Sequence, residues 1–178
     1  MNKSIIIETE RLILHRLVQT DFDNLRNILQ DEEVMYAYEG AFDDTEVQEW
    51  LDRQINRYEN DGIGLYAVTL KASGEFIGQC GLTMQDYNNS KVMEVGYLFR
   101  KEFWHQGYAT EAAIACKEYA FNKLGVDKIY SIIRNTNTAS QKVAERNGMV
   151  MIDQFVKHFK GVEMPHFVFL VKKEDYEK

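Results

Sequence analysis

The stretch from Val92 to Glu111 restricts the fold more than any other part of the sequence. Residues 92–99 have strand character, and beyond a short loop the small side chains from Ala109 onward recur at helical spacing. Gly107 lies at the start of that helix, where the first backbone N–H groups have no partner within the helix. Because the helix dipole is positive at this end, an anion such as a pyrophosphate can bind there. The sequence therefore predicts a strand, a glycine turn and a closely packed helix in one unit.

The other segments place this unit in a mixed α/β (α+β) chain. Alternating apolar residues in 11–17 predict a first strand, and two helices are predicted next, over 20–30 and from an N-cap at Thr45 to Gly62. Further strands are predicted at 65–70, 76–84, 92–99, 128–133, 150–158 and 166–171, and further helices at 109–124 and 138–147. This order indicates one central sheet containing an antiparallel meander. The length of 178 residues suits a single domain over residues 1–178.

Composition excludes several classes of protein. The formal net charge of −7 argues against a nucleic-acid-binding domain, which needs a basic face. Two cysteines and four histidines without ligand spacing predict neither a disulfide scaffold nor a metal site. No segment is long and apolar enough for a signal peptide or a membrane span, so we expect a cytoplasmic protein without a membrane partner.

The negative charge is concentrated in one block. Residues 31–61 contain eleven acidic and two basic residues, a formal charge of −9, whereas the rest of the chain carries +2. Such a block either attracts a cationic ligand or forms a solvated helix face that keeps the protein soluble.

A family resemblance extends over most of the chain, from Glu8 to about Tyr176. Residues 103–112, FWHQGYATEA, resemble the acetyl-CoA-binding motif of the GCN5-related N-acetyltransferase (GNAT) superfamily. An aromatic residue before the glycine turn is typical of its RimJ/RimL-type branch, which is related to ribosomal-protein N-terminal acetyltransferases. Other matching blocks follow in order at 10–14, 78–82, 137–140 and 145–149. The resemblance implies the GNAT fold, a central twisted, mixed, mostly antiparallel sheet flanked by about four helices.

The resemblance also implies a set of cofactor-binding residues. Main-chain groups of Tyr97, Leu98 and Phe99 would hold the pantetheine and thioester, and Asn137 would contact acetyl-CoA. The pyrophosphate would lie against the turn formed by His105, Gln106, Gly107, Tyr108, Ala109 and Thr110.

Two positions depart from the family pattern. Trp104 stands where the superfamily has Arg or Gln, so a side-chain contact to the phosphate is lost there. Ala144 stands where many members have a tyrosine that acts as a general acid. No phenol is available at that position.

Acetyl transfer to an amine needs a base, a donor to the carbonyl oxygen and a donor to the departing thiolate. Glu94, on the predicted cofactor strand, is the candidate base, acting directly or through a water, and its alternative interpretation is a surface carboxylate. Ser140 is the candidate acid or donor to sulfur, and its alternative is an ordinary hydroxyl in the first turn of a helix. The N–H of Leu98 is the candidate donor to the carbonyl oxygen.

The sequence and the resemblance together predict an N-acetyltransferase that transfers the acetyl group of acetyl-CoA to a primary amine by direct attack in a ternary complex. The acceptor stays open among a protein or peptide N-terminus, a polyamine, an aminoglycoside and an amino-acid-like metabolite. An acyl-CoA-binding module with little catalysis is one alternative, and a nucleic-acid-binding or protein-interaction domain is a weaker one. Dimers are frequent in the family, so a homodimer is a further expectation from the resemblance.

Overall fold

A computed structural model describes residues 4–176 of the chain. The strands are β1 (Ile5–Glu8), β2 (Leu12–Arg16), β3 (Leu65–Leu70), β4 (Phe76–Tyr87), β5 (Ser90–Phe99), β6 (Lys128–Arg134), β7 (Val150–Phe159) and β8 (Val162–Lys172). The helices are α1 (Phe22–Leu29), α2 (Asp44–Asn60), α3 (Tyr108–Asn122), α4 (Thr138–Arg146) and the short α5 (Lys173–Tyr176). The predicted domain also includes residues 1–3 and 177–178, which lie outside the described residues.

All eight strands belong to one sheet in the order β1-β2-β3-β4-β5-β6-β8-β7. Every neighbouring pair is antiparallel except β5 and β6, which are parallel. The predicted mixed, mostly antiparallel sheet with about four substantial helices is therefore confirmed. The sequence did not predict β1, a four-residue edge strand that pairs with β2.

The two long helices, α2 and α3, cover opposite faces of the sheet. Two successive residues of β4 show this, since successive side chains of a strand point to opposite faces. Gln79 of β4 accepts a hydrogen bond from the indole N–H of Trp50 on α2, with the two atoms 3.0 Å apart. The next residue, Cys80, has its sulfur 3.7 Å from that of Cys116 on α3. Both cysteines are fully buried and unbridged, as expected for small apolar side chains.

The start of α2 differs from the sequence prediction. Asp43, not Thr45, is the N-cap: its carboxylate accepts the Glu46 N–H at 2.8 Å, and the Glu46 carboxylate accepts the Asp43 N–H at 3.0 Å. This reciprocal pair satisfies two N–H groups that one threonine hydroxyl at position 45 would leave open.

None of the helices within residues 4–176 is long and apolar enough to cross a membrane.

Candidate active site

A gap in the sheet defines the site. The parallel strands β5 and β6 are in register at one pair only, Glu94 and Tyr130, and they separate beyond it. A cavity of 720 Å³ is lined by residues of both strands where they separate, including Tyr97 and Ile132. It is also lined by residues of α2 on one face of the sheet and by Ser140 of α4 on the other. The cavity therefore connects the two faces through the gap.

Main-chain groups of Tyr97 face this gap. The Arg100 N–H donates to the Ile77 carbonyl at 2.9 Å, and the β4–β5 register is unbroken from there to the end of the hairpin. Because such pairs alternate between bonded and non-bonded, the main chain of Leu98 bonds to Gln79, whereas that of Tyr97 and Phe99 points away from β4. The predicted contact from the Leu98 N–H to the reacting oxygen is therefore wrong, since β4 uses that N–H.

Phe99 and Trp104 are joined by a hydrogen bond. The Phe99 carbonyl accepts the indole N–H of Trp104 at 2.9 Å. Trp104 thus fixes the loop between β5 and α3, which explains an aromatic residue at a position where the family pattern has Arg or Gln.

Glu94 lies at the point where the strands separate. It is half-buried, lines the cavity and accepts the Ile132 N–H of β6 at 2.7 Å. Burial raises the pKa of Glu94 to about 7, although the Ile132 N–H and the positive charges of Lys157 and Arg57 act in the opposite direction. A carboxylate with this pKa is partly protonated at neutral pH, which suits a group that takes up and releases a proton.

On the α4 side, three predicted residues come together. Asn137 is the N-cap of α4, and its side-chain oxygen accepts the Ser140 N–H at 3.1 Å. The Ser140 carbonyl in turn accepts the phenolic O–H of Tyr97 at 2.8 Å. Asn137, Ser140 and Tyr97 all line the cavity.

The Tyr97 phenol is a functional group that sequence reasoning missed. Its pKa is raised, chiefly by burial and further by Cys80 and Glu94, so it stays protonated. The sequence signal was the tyrosine itself, which we assigned only a main-chain role. The family position for a phenol, Ala144, is 1% exposed and belongs to the core.

The glycine turn precedes α3 as predicted. His105 and Gly107 have positive φ values of 61° and 81°, and Gly107, the N-cap of α3, provides no side-chain hydrogen bond to the first turn. Arg11, just before β2, holds this turn from outside: its guanidinium donates to the Gln106 carbonyl at 3.0 Å and pairs with Glu111 at 2.6 Å. Arg11 lay within the matching block at 10–14, but a contact across 100 residues leaves no local signal.

Eight of the twelve predicted site residues line one of two cavities, and Phe99, Gln106, Tyr108 and Ala109 line neither. Glu94, Tyr97, Leu98, Asn137 and Ser140 line the 720 Å³ cavity. The turn residues His105, Gly107 and Thr110 line a second, shallower depression of 790 Å³ beside β1. In residues 4–176, no group of three or more His, Cys, Asp or Glu residues is arranged to hold a metal ion.

Comparison with known proteins identifies the family. The model of a family described as "Acetyltransferase (GNAT) domain" matches residues 11–150. The chain belongs to the GNAT acetyltransferase family. A curated relative, the uncharacterized protein YkkB of Bacillus subtilis (strain 168), is 37% identical over 150 residues, which cover 84% of this chain and 87% of YkkB.

Solved GNAT structures share the fold. RimL, a ribosomal L7/L12 alpha-N-protein acetyltransferase in complex with coenzyme A, has a TM-score of 0.78 at 16% identity, covering 95% of this chain and 98% of RimL. The spermidine N-acetyltransferase from Vibrio cholerae, in complex with CoA and spermine, has a TM-score of 0.76 at 18% identity, covering 96% and 100% of the two chains. At these identities the similarity shows the GNAT fold alone.

Proposed function

We propose that this GNAT protein transfers the acetyl group of acetyl-CoA to a primary amine by direct attack in a ternary complex. The observation that carries the proposal is the position of Glu94. Its half-buried carboxylate, with a pKa of about 7, lies where the gap between β5 and β6 meets the α2 side of the cavity. A base at this point contacts an amine entering from one face while the thioester occupies the gap.

The residues around the gap fit acetyl-CoA. The main-chain groups of Tyr97 that β6 leaves unpaired suit the amide groups of the pantetheine arm. The N–H groups of residues 108–110 at the uncapped start of α3 suit the pyrophosphate, and Gly107 has no side chain to obstruct it. The side-chain N–H groups of Asn137 are available to a ligand, since its oxygen is used by Ser140. When bound, acetyl-CoA supplies the activated acyl thioester.

Each protein group then has one role. Glu94 accepts the proton of the attacking amine, directly or through a water. The N–H of Tyr97 takes the role first assigned to Leu98 and donates to the oxygen on which negative charge develops. The hydroxyl of Ser140 donates to sulfur, and the Tyr97 phenol would become a second donor only by breaking its hydrogen bond to the Ser140 carbonyl.

The kind of acceptor amine and the branch of the family also belong to the proposal. RimL and the spermidine enzyme act, by their names, on a protein N-terminus and on a polyamine, and both kinds of amine are open for this chain. Membership of the RimJ/RimL-type branch, a homodimer, a cytoplasmic location and a single domain over residues 1–178 are predictions from the sequence and the family.

Thiol release tests the proposal. The protein is mixed with acetyl-CoA and a panel of primary amines, and free coenzyme A thiol is measured. We expect amine-dependent release that Glu94→Gln slows by about 10²-fold or more, with the exposed α2 carboxylate variant Glu59→Gln as control. Tight acetyl-CoA binding without thiol release on any amine would favour the acyl-CoA-binding module instead.

A further inference from the structure

The charge of the acceptor side of the cavity differs from that of the whole chain. Five cationic side chains line the cavity: Arg53, Arg57, Arg134, Lys157 and Lys160. Three carboxylates line it: Glu46, Glu49 and Glu94. An overall acidic protein therefore has a cavity with an excess of positive charge.

Ion pairs within the protein account for only part of this excess. Lys160 pairs with Glu46 at 3.0 Å, and Arg134 pairs with Glu39. Arg53, Arg57 and Lys157 form no ion pair with any residue from 4 to 176. Arg57 is half-buried, and burial is the main cause that lowers its pKa; Arg53 acts in the same direction, whereas Asp61, Glu94 and Tyr38 act in the opposite one. A half-buried cation without an ion pair is stabilised by an anionic ligand.

Gln54 supplies a second, independent sign of a ligand. This α2 residue is 1% exposed and lines the cavity. Its side-chain oxygen accepts the Leu65 N–H at 3.1 Å and an Arg57 N–H at 3.3 Å. Its amide nitrogen Nε2 has no hydrogen-bond partner in the part of the chain that is described. A guanidinium without an ion pair and a buried amide N–H donor without an acceptor, both in the described residues, thus lie side by side.

The phosphates of coenzyme A do not explain these donors. Gln54 and Arg57 belong to α2, and the glycine turn precedes α3 on the opposite face of the sheet. The acceptor is the remaining ligand of the cavity. The cavity volume of 720 Å³ suits a small molecule.

Little of the acidic block lines the cavity itself. Of its eleven carboxylates, all within the described residues, only Glu46 and Glu49 line the cavity. Others are paired elsewhere, Asp31 and Glu33 with Lys101 and Asp44 with Arg26. The block therefore does not favour a polycationic acceptor.

We propose that the acceptor is a small primary amine that also carries a carboxylate, as amino acids do, and that Arg57 and Gln54 Nε2 bind this carboxylate while Glu94 faces the amine. Lys157, across the cavity on β7, adds to the positive field. Arginine and amide N–H donors bind carboxylates through paired hydrogen bonds. This substrate class rests on the proposed acetyl transfer.

Matched pairs of amines test the substrate class. Each pair joins an amino acid to the amine that remains after its carboxylate is removed: leucine with isoamylamine, phenylalanine with phenylethylamine, and lysine with cadaverine. We expect kcat/KM to be at least tenfold higher for the amino acid in at least one pair. Higher kcat/KM for the decarboxylated amine in every pair would overturn the inference and leave acetyl transfer intact.

Variants locate the carboxylate-binding group. Arg57→Gln should raise KM for the preferred amino acid by about tenfold or more and leave KM for its decarboxylated partner within twofold, and Arg57→Lys should restore part of the loss. Gln54→Glu keeps the oxygen that accepts the Leu65 N–H but replaces the free donor with an oxygen, so it should have the same selective effect. Lys123→Gln removes an exposed charge at the far end of α3 and serves as control. Because Arg57 also lowers the pKa of Glu94, Arg57→Gln should reduce kcat for both members of a pair alike, and an equal rise in KM for both would contradict the inference.

A binding measurement separates the two proposals. Calorimetric titration of the same amines into the protein loaded with coenzyme A reports acceptor binding without turnover. Selective binding of amino acids that is lost in Arg57→Gln supports the carboxylate site even where no thiol is released, a result that would contradict only acetyl transfer. The absence of selective binding would contradict the carboxylate site whatever the turnover.

Discussion

Glu94 of β5 accepts a hydrogen bond of 2.7 Å from the main-chain N–H of Ile132 on β6, just beyond the single pair that joins these parallel strands. A carboxylate side chain thus occupies the position where the next bond of the sheet would form. This places an ionisable group at the start of the gap, and burial there raises its pKa to about 7.

The first prediction concerns the pH dependence of acetyl transfer. Glu94 must be ionised to accept a proton, so kcat/KM of the wild type should rise with pH through about 7. Glu94→Gln should lower kcat/KM by about 10²-fold or more and abolish that limb of the profile. Steady-state rates from pH 5.5 to 9 with one amine, with Glu59→Gln as control, provide the measurement. A limb that persists unchanged in Glu94→Gln would show that another group is the base.

The second prediction concerns stability. Because the pKa of Glu94 is higher in the folded chain than its ordinary value of 4.5, the folded protein binds more protons between pH 4.5 and 7. The free energy of unfolding should therefore fall as the pH rises through this range. Glu94→Gln should be more stable than the wild type by about 1–3 kcal/mol at pH 8, and the difference should decrease toward pH 4. Urea denaturation at several pH values measures it, and a variant less stable at pH 8 would be inconsistent with a raised pKa.

The third prediction separates turn geometry from ligand binding. Gly107 and Gly125 flank α3 with φ values of 81° and 69°, so alanine at either should cost about 1–2 kcal/mol of stability. A Cβ at Gly107 would also lie 3.4 Å from the Arg11 guanidinium, whereas one at Gly125 would meet no heavy atom within 4 Å. We expect Gly107→Ala, but not Gly125→Ala, to weaken acetyl-CoA binding by about tenfold, the equivalent of about 1.4 kcal/mol. Calorimetric titration checks this, and equal affinities in both variants would argue against the turn as the phosphate site.

The fourth prediction distinguishes the two donors near the sulfur. Ser140→Ala should lower kcat by about tenfold or more without a matching rise in KM for acetyl-CoA, because it removes a donor needed only as the thiolate departs. Tyr97→Phe removes the hydrogen bond to the Ser140 carbonyl and should cost about 1 kcal/mol of stability, with a smaller effect on kcat. If Tyr97→Phe instead lowers kcat more than Ser140→Ala, the phenol is the principal donor.

Much of the fold could be predicted from local patterns. The strand Leu65–Leu70 was predicted to the residue, because a continuous apolar run between turns leaves little choice. Local patterns do not fix the end of an element as closely. At α2, Asp43 and Thr45 are both good N-cap residues, and only the reciprocal hydrogen bonds with Glu46 decide between them. The edge strand β1 was missed because four residues are too few for alternation to be distinguished from chance.

The site was less predictable, because its chemistry depends on which distant residues meet. Glu94 was found because the family pattern marks its strand, but its contact with Ile132 depends on how β5 and β6 separate. The contact of Arg11 with the turn before α3, and the absence of an ion pair at Arg57 among residues 4–176, depend on the positions of side chains from different elements. The charge count along the chain likewise showed that residues 31–61 are acidic. It could not show that most of their carboxylates lie away from the cavity.

The single pair of Glu94 and Tyr130 also marks the boundary between two parts of the sheet, β1–β5 and β6–β8. A ligand that forms hydrogen bonds with both β5 and β6 beyond this boundary would connect the two parts. Amide hydrogen exchange in the C-terminal half of β5 and in β6 should therefore slow together when acetyl-CoA binds, while exchange in the distant β2–β3 pair stays unchanged.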